Sequence, residues 1–334
     1  MANNPAPADI DVLGIGNAIV DVLSHADERF LDRADLPKGS MSLIDAERAD
    51  QLYRAAGPAM EASGGSAANT IAGLASLGAR AAFIGKVSND QFGGIFRHDI
   101  KSLGILFDTF PATEGAPTAR CLVFVTPDGQ RTMATFLGAC LDLTEDDIDE
   151  ALVARAKITY LEGYLWDPPH AKLAFLKAAE AAHRAGRLVA LSLSDAFCVD
   201  RHRAEFQQLV SNHVDILFAN ELEICSLWEA EDFDQALQVT RGKTRIAALT
   251  RSEKGSVVLS GREIHVVDPA PVTRVVDSTG AGDQYAAGFL YGLVTGRSLA
   301  SCGRIASLAA AEVIQHLGAR PEVPLAEQVL SDFV

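Results

Sequence analysis

Short apolar runs alternate along the chain with longer segments in which apolar residues recur at about every third or fourth position. The short runs are typical of strands buried on both faces, and the longer segments are typical of amphipathic helices. The predicted strands are 10–15, 81–84, 158–161, 188–193, 216–219, 246–250 and 256–259. The predicted helices are 69–77, 91–103, 169–185, 221–227 and 283–295. This alternation predicts an α/β fold in which helices cover both faces of a mainly parallel sheet.

Two stretches interrupt the alternation with strand-forming segments that no helix separates. Residues 118–136 contain two β-rich runs around the turn sequence PDGQ, which predicts a hairpin. Further short strands are expected at 20–25 and 39–43. We therefore predict one domain over 1–334, with a small β lid formed by about 18–45 and 112–138. A purely structural flap is the alternative.

Composition and charge narrow the class of protein. The 334 residues are 48% hydrophobic and 22% charged, as in ordinary globular proteins, and the formal net charge is -15. An acidic surface repels nucleic-acid phosphates and anionic lipids, so neither is an expected partner. Without an apolar run of about 18 residues or a signal-like N-terminus, a cytoplasmic location is expected. The five cysteines form no CxxC pair and are expected to be free thiols.

The strongest chemical signal is DSTGAGDQYAAGFLYGL at 277–293. Gly280, Ala281 and Gly282 are small and precede a helix expected to begin at about Asp283. Unpaired amides at such a helix start could bind a phosphoryl group, which predicts an anion hole. Asp283 beside it could accept a proton from an attacking hydroxyl, and the helix dipole should keep it ionised and weakly basic. A glycine-rich turn followed by an acid that merely compensates the dipole is the alternative.

Two segments near the N-terminus carry small and polar residues. In SGGSAANTIAGLASLG at 63–78, Gly64 and Gly65 would allow the backbone to approach a ligand, and Asn69 is either a helix cap or a ligand-facing residue. In GIGNAIVD at 14–21 the third glycine of a dinucleotide fingerprint is missing, which argues against a dehydrogenase. Asn17 and Asp21 could instead hold neighbouring hydroxyls of a sugar.

Asn220 and Glu223 directly follow the predicted strand 216–219. Their oxygen atoms would suit a hydrated Mg²⁺ that enters with nucleotide phosphates. The same spacing is typical of a capping box at the start of a helix. The pair alone therefore does not distinguish a metal site from a helix cap.

In this order and at these spacings, the segments resemble the ribokinase-like (PfkB) family of carbohydrate and nucleoside kinases. GGSAAN and DSTGAGD resemble its N-terminal and C-terminal signatures, and the likeness extends from about Asp11 to Pro321. Through GNAIVD, KGSMSLID and FANELE, the chain looks most like the bacterial adenosine kinase-type group. The resemblance implies a ribokinase-like three-layer α/β/α fold. It also implies ATP-dependent transfer of a phosphoryl group to the 5′-hydroxyl of a purine nucleoside, with adenosine as first choice.

The resemblance also implies roles for individual residues. Asp283 would be the base beside an anion hole formed by the amides of Gly280, Ala281 and Gly282, and Arg131 would move onto the phosphates as the lid closes. The residues that would surround the sugar are Asn17, Asp21, Gly64, Gly65 and Asn69. The residues that would bind ATP are Asn220, Thr250, Ser252 and Gly255, although the family usually has glycine where Ser252 stands. Asn220 and Glu223 would organise Mg²⁺ through water.

The remaining expectations concern ligands and assembly. K⁺ would bind near Asp277, as in some relatives, and the protein would be a monomer or a homodimer with small-molecule substrates. The aromatic residues available to hold a base are Phe136, Tyr164, Trp166 and Phe197. The alternative functions are a ribose or fructose kinase, an inosine or guanosine kinase, and a nucleoside sensor without catalysis.

Overall fold

The computed structural model describes residues 8–329, in which the strands form two β-sheets. The strands are β1 (Ile10–Ile15), β2 (Ile19–His25), β3 (Met41–Leu43), β4 (Ala59–Gly64), β5 (Ala81–Ile84), β6 (Ala119–Val125), β7 (Arg131–Phe136), β8 (Ala156–Glu162), β9 (Leu188–Ser192), β10 (Ile216–Asn220), β11 (Ile246–Thr250), β12 (Ser256–Ser260) and β13 (Glu263–Val267). All seven strands of the predicted sheet are therefore present within a residue or two of their expected ends.

Helices separate most of these strands. They are α1 (Glu28–Arg33), α2 (Ala46–Ala55), α3 (Ser66–Ser76), α4 (Gln91–Ser102), α5 (Glu150–Arg155), α6 (Pro169–Arg184), α7 (Ala196–His213), α8 (Glu221–Trp228), α9 (Phe233–Thr240), α10 (Ala281–Val294), α11 (Leu299–Val313) and α12 (Leu325–Val329). The five predicted helices correspond to α3, α4, α6, α8 and α10. Within residues 8–329, no helix combines the length and apolarity required to cross a bilayer.

The larger sheet has eight strands in the order β13-β12-β11-β10-β9-β8-β1-β5. Strands β5, β1, β8, β9, β10 and β11 pair in parallel, and β12 and β13 add an antiparallel edge. Alternate residues enter two different cores: Leu13 belongs to the core that contains residues of α5 to α9, whereas Val12 belongs to the core that contains residues of α3, α4, α10 and α11. The mainly parallel sheet with helices on both faces confirms the predicted fold class.

The second sheet has the order β3-β7-β6-β2-β4, and we call it the small sheet. It contains the hairpin expected at 118–136 and the short strands expected at 20–25 and 39–43. Strand β4 was not predicted and lies outside both segments that we assigned to the lid. Because β4 leads directly into α3, the small sheet is joined to the body at the GGSAAN segment.

Two helices begin earlier than the sequence predicts. Helix α3 begins at Ser66 instead of Asn69, and α10 begins at Ala281 instead of Asp283. The residue before each helix is a glycine with positive φ, Gly65 at 98° and Gly280 at 77°. Asn69 and Asp283 consequently lie inside the first turns, where their side chains are free to make contacts other than caps.

Candidate functional site

The carboxyl ends of the parallel strands carry the polar side chains that the sequence singled out. Asn17 follows β1, Glu162 ends β8, and Asn220 ends β10 in register with Thr250 on β11. Neighbouring strands lie about 4.8 Å apart, so β1 and β10, three strand spacings apart, are separated by about 14 Å. The carboxyl ends of the large sheet's strands therefore offer two polar regions, one after β1, where the chain enters β2, and the other at β10 and β11.

Asp283 lies in the first turn of α10 and is oriented by two side chains of α3. Ser66 Oγ donates to Asp283 Oδ1 at 2.6 Å, and Asn69 Nδ2 lies 3.4 Å from Oδ2. Each carboxylate oxygen keeps a further lone pair for another donor. A hydroxyl that approaches this carboxylate therefore meets an acceptor whose orientation is already fixed.

The acidity of Asp283 differs from the prediction. Burial raises the pKa of this carboxyl to about 6, and the charge of Asp21 acts in the same direction. The hydrogen bonds from Ser66 and Asn69 and the charge of Arg320 act in the opposite direction but are outweighed. The prediction of a weakly basic carboxylate was wrong, because desolvation opposes its charge more strongly than a helix dipole favours it.

The predicted anion hole has one amide fewer than expected. The amide of Ala281 donates to the Ser278 carbonyl at 3.2 Å, so it is already occupied. Among residues 8–329, the backbone amides of Gly280 and Gly282 have no hydrogen-bond acceptor. A Cβ at Gly282 would meet no atom within 4 Å, so this residue faces open space next to Asp283. The geometry leaves room for an anionic group at this point.

The glycine pair is required by two neighbours, one between β1 and β2 and the other on β2. A Cβ at Gly64 would lie 2.3 Å from Asp21 Oδ2, and a Cβ at Gly65 would lie 2.2 Å from the Asn17 carbonyl oxygen. The two N-terminal motifs are thus packed directly against each other. Burial raises the pKa of Asp21 to about 6, although Arg320 and Arg131 act to lower it.

Asn17 is held by Glu162, a contact that the sequence did not predict. Asn17 Nδ2 donates to Glu162 Oε1 at 2.7 Å, and the Ala67 amide at the start of α3 donates to Oε2 at 2.7 Å. Burial raises the pKa of Glu162 to about 7. Within residues 8–329, Asn17 Oδ1 is buried without a hydrogen-bond partner. The amide is therefore fixed by its nitrogen, and its oxygen is the atom left for another donor.

Arg131 on β7 joins the small sheet to the loop before α10. Its guanidinium forms an ion pair with Asp277, which also accepts hydrogen bonds from Thr279 and from the Gly318 amide. Both side chains of the ion pair are almost fully buried. The predicted phosphate-contacting arginine is thus placed next to the predicted anion hole, with a protein carboxylate as its partner.

Asn220 and Glu223 satisfy each other as a capping box. Glu223 accepts from the Asn220 amide at 2.9 Å and from Nδ2 at 2.6 Å, and the Glu223 amide donates to Asn220 Oδ1 at 2.9 Å. Burial raises the pKa of Glu223 to about 7. The part of the chain that the structure describes has no group of three or more His, Cys, Asp or Glu residues able to hold a metal ion directly.

The loop after β11 holds Ser252 in a backbone conformation that glycine adopts more easily. Ser252 has φ of 50°, a left-handed conformation that disfavours residues with a Cβ. Gly255 has φ of 78°, and a Cβ there would lie 2.1 Å from the Val267 carbonyl oxygen. Ser252 therefore adopts a left-handed backbone conformation at some cost in strain.

The aromatic residues proposed for a base separate into core and surface. Trp166 is buried and packs on Phe175 and Phe206 in the core, so it is unavailable. Tyr164 is 41% exposed and Phe197 is 75% exposed. Tyr164 also lies close enough to the carboxylates of Asp283 and Glu223 to interact with them electrostatically. Tyr164 follows β8 and Phe197 lies in the first turn of α7, and both rings are exposed enough to contact a ligand.

Comparison with known proteins gives the family. The profile described as "pfkB family carbohydrate kinase" matches residues 41–326. The chain belongs to the PfkB family of carbohydrate kinases. The structure of an adenosine kinase from Sinorhizobium meliloti is 52% identical, with a TM-score of 0.90, over 97% of this chain and 100% of that one. A probable sugar kinase from Rhizobium etli CFN 42 is 50% identical, with a TM-score of 0.90, over 98% and 99%. Adenosine kinase 1 of Arabidopsis thaliana is 25% identical over 96% of this chain and 99% of its own length.

Membership of the PfkB family confirms the ribokinase-like fold and defines the class of chemistry. The chain is a phosphotransferase that acts on an alcohol group of a small molecule and uses ATP with a divalent metal ion. Three contacts of the candidate site were missed from the sequence because they are formed across the fold: Ser66 with Asp283, Glu162 with Asn17, and Arg320 with Asn69. Ser66 stands inside the GGSAAN signature, which was the only local signal that could have indicated it.

Proposed function

We propose that this chain transfers the γ-phosphoryl group of ATP to the 5′-hydroxyl of a purine nucleoside. Adenosine is the preferred substrate in this proposal, and its product is AMP. The observation that carries the proposal is the placement of Asp283. Its carboxylate is held by Ser66 and Asn69 beside Gly282, whose amide has no protein acceptor among residues 8–329, so an acceptor hydroxyl and a phosphoryl group can meet there. In-line phosphoryl transfer depends mainly on such positioning and on stabilisation of charge.

In this mechanism Asp283 accepts the proton of the 5′-hydroxyl while that oxygen forms its bond to the γ-phosphorus and the bond to ADP breaks. The amides of Gly280 and Gly282 donate to the equatorial phosphoryl oxygens, as donors aimed at developing charge. The Ala281 amide stays with Ser278. A carboxyl with a pKa of about 6 is largely ionised at neutral pH yet more basic than an exposed aspartate.

The sugar is proposed to bind at the β1 and β2 end of the site. Asn17 Oδ1 and the Asp21 carboxylate would accept the 2′ and 3′ hydroxyl protons, and Gly64, Gly65 and Asn69 would close over the ring. Glu162 supports this assignment because it holds Asn17 by Nδ2 and leaves the acceptor oxygen without a protein partner.

The nucleotide is proposed to bind at the β10 and β11 end, through Asn220, Thr250, Ser252 and Gly255. Mg²⁺ would enter with ATP and neutralise charge on its phosphates. Both oxygens of Glu223 already accept from Asn220, so this donor set fits contact through water better than direct coordination. The K⁺ expected near Asp277 stays a prediction, and the Asp277 carboxylate already has Arg131, Thr279 and Gly318 as donors.

The small sheet is proposed to act as the lid. Its strand β7 is tied to the loop before α10 by the Arg131–Asp277 ion pair, and release of Asp277 would free the guanidinium for the phosphates. A closed lid excludes water, which would otherwise compete with the acceptor for the phosphoryl group. A monomer or homodimer and a cytoplasmic location stay predictions.

Substrate specificity is the part of the proposal that the fold alone does not determine. The similarity to an adenosine kinase at 52% identity supports a nucleoside, and the similarity to a probable sugar kinase at 50% supports a free sugar as the second candidate. ADP formation should be measured with adenosine, inosine, guanosine, ribose and fructose at fixed MgATP. We expect the highest kcat/KM for adenosine. Phosphorylation of ribose or fructose without any of adenosine would overturn the nucleoside assignment.

The role of Asp283 is tested separately by Asp283→Asn. Asparagine keeps the shape and can still accept from Ser66, but it cannot take a proton. We expect kcat to fall by about 100-fold or more, while adenosine binding measured by calorimetry stays within a few-fold. Unchanged kcat would remove Asp283 as the base. A protein that binds adenosine but never forms ADP, even as wild type, would instead be a nucleoside sensor.

A further inference from the structure

Arg320 reaches the proposed acceptor site from a segment that none of the sequence motifs includes. The segment 318–320 is fixed residue by residue: the Gly318 amide donates to Asp277, and the Ala319 carbonyl accepts from Gln284 Nε2 at 3.0 Å. Gln284 also donates to the Asn69 carbonyl at 3.1 Å, so one buried amide joins this segment to α3. The Arg320 side chain is thereby directed toward Asn69.

The guanidinium of Arg320 contacts three side chains of the acceptor region. Nε donates to Asn69 Oδ1 at 3.1 Å, Nη1 donates to Ser63 Oγ at 2.6 Å, and Nη1 lies 3.3 Å from Asp99 Oδ2. The side chain is 19% exposed. Ser63 and Asp99 hold the far end of the guanidinium, and Nε is therefore aimed at Asn69.

The carboxamide of Asn69 can exchange the positions of its oxygen and nitrogen with almost no change of shape. Its neighbours favour one of these two orientations. Arginine has donors and no acceptor, so only the Asn69 oxygen can face it. The amide nitrogen then faces Asp283 Oδ2, where it can donate to the ionised carboxylate. The reversed orientation would place two donors against each other at Arg320 and two acceptors against each other at Asp283.

We propose that Arg320 is a positioning residue that locks the Asn69 carboxamide in the orientation that donates to the base Asp283. This inference rests on the proposed function, because it assigns Arg320 a role in the same phosphoryl transfer. It predicts that loss of Arg320 leaves the base less well held and less readily ionised, since an unlocked amide can turn its oxygen toward a protonated carboxyl.

Other charges also act on Asp283, and they have to be separated from this effect. The titratable groups that face it are Asp21 on β2, Tyr160 and Glu162 on β8, and Tyr164 after β8. The charge of Arg320 itself lowers the pKa of both Asp21 and Asp283. A single variant therefore cannot distinguish action through Asn69 from action through charge, but a double-mutant cycle can.

The experiment compares the wild type, Arg320→Gln, Asn69→Ala and the double variant by the pH dependence of kcat/KM. In Arg320→Gln we expect the acidic limb to move up by about one pH unit and kcat to fall by about tenfold. In the Asn69→Ala background, removal of Arg320 should move the limb clearly less than it does in the wild-type background. Arg320→Lys should lie between Arg320→Gln and the wild type, because one amine cannot replace both Nε and Nη1. If Arg320→Gln does not fold, Arg320→Lys takes its place in the cycle.

Arg262→Gln is the matched control, because it removes one positive charge from an exposed residue between β12 and β13. This variant should leave the acidic limb of the kcat/KM profile unchanged. An equal shift on removal of Arg320 in both backgrounds would overturn the proposal, as would lower thermal stability with an unmoved limb, which would indicate a purely structural arginine. A wild type that phosphorylates another alcohol but not adenosine would refute only the nucleoside assignment, since the same cycle can be measured with that acceptor.

Discussion

A substitution at Gly282 should change the proposed phosphoryl-binding site without changing the fold. Gly282 lies in the first turn of α10 without a positive φ, and a Cβ there would meet no atom within 4 Å. Alanine in a helix is favoured over glycine by about 0.5–1 kcal/mol. Gly282→Ala should therefore unfold at the same urea concentration as the wild type or at a slightly higher one.

The kcat/KM of Gly282→Ala should fall, although its stability should not. The added methyl group would occupy the open space in which the phosphoryl group is proposed to meet the Gly282 amide. Loss of one donor from an oxyanion site costs about 100- to 1000-fold in rate. Alanine keeps its N–H group and only obstructs the approach, so we expect kcat/KM to fall by about 100-fold, at the lower end of that range.

Gly280→Ala is the informative contrast, because there the fold must change too. Gly280 has φ of 77°, and left-handed backbone costs a residue with a Cβ about 1–2 kcal/mol. The new Cβ would lie 2.6 Å from the Cα and carbonyl oxygen of Ala319, so the segment 318–320 would have to move. Overpacking of this kind costs about 1–3 kcal/mol. We expect a total loss of about 2–5 kcal/mol in the free energy of unfolding, together with a loss of activity.

Urea unfolding and a coupled assay of ADP formation measure both quantities on the same preparations. Wild-type kcat/KM in Gly282→Ala would show that this amide does not face the transferred group, and the anion hole would have to be placed elsewhere. A Gly280→Ala protein as stable as the wild type would contradict the packing of Gly280 against Ala319.

Two further predictions concern stability. Ser252→Gly should raise the free energy of unfolding by about 0.5–1 kcal/mol, because relief of left-handed strain exceeds the entropy that glycine adds to the unfolded chain; a lower urea midpoint would contradict this. Asp21, Glu162, Glu223 and Asp283 all have raised pKa values, of about 6 to 7, so the folded state binds protons more tightly than the unfolded chain. The free energy of unfolding should therefore fall as the pH rises from about 4 to about 7, and Glu162→Gln should make that fall smaller. A stability that rises from pH 5 to pH 7 would refute this prediction.

The sequence identified the strands of the large sheet because each is a short apolar run between turn residues, and burial on both faces imposes that pattern. The starts of α3 and α10 were misplaced for a specific reason. Sequence signals for a helix start favour Ser, Thr, Asp or Asn as the cap, and they pointed to Asn69. The actual caps are Gly65 and Gly280, where a positive φ and the close approach of Asn17 and Ala319 both disfavour a residue with a Cβ.

Strand β4 could not be predicted because its residues, AMEASG, have little intrinsic preference for a strand. It forms because all six residues pair with β2, from Ile19 with Gly64 to Ser24 with Ala59. Contacts of the site between residues far apart in the sequence could not be predicted for the same reason. Local motifs indicated Asp283, Asn17 and Asp21, but the contacts of Glu162 and Arg320 join residues more than 90 positions apart.

Two effects on the basicity of Asp283 differ in magnitude: the helix dipole, which the sequence predicts, and burial, which only the structure shows. A helix dipole contributes about 0.3–1 kcal/mol to a nearby charge at the surface, which is less than the 1.36 kcal/mol that moves a pKa by one. The rise from 3.8 to about 6 corresponds to about 3 kcal/mol in the other direction. Desolvation of Asp283 between α3 and α10 therefore dominates, and it makes the carboxylate a stronger base. Ser66, Asn69 and Arg320 then act against burial, and they keep enough of the carboxyl ionised at neutral pH to accept a proton.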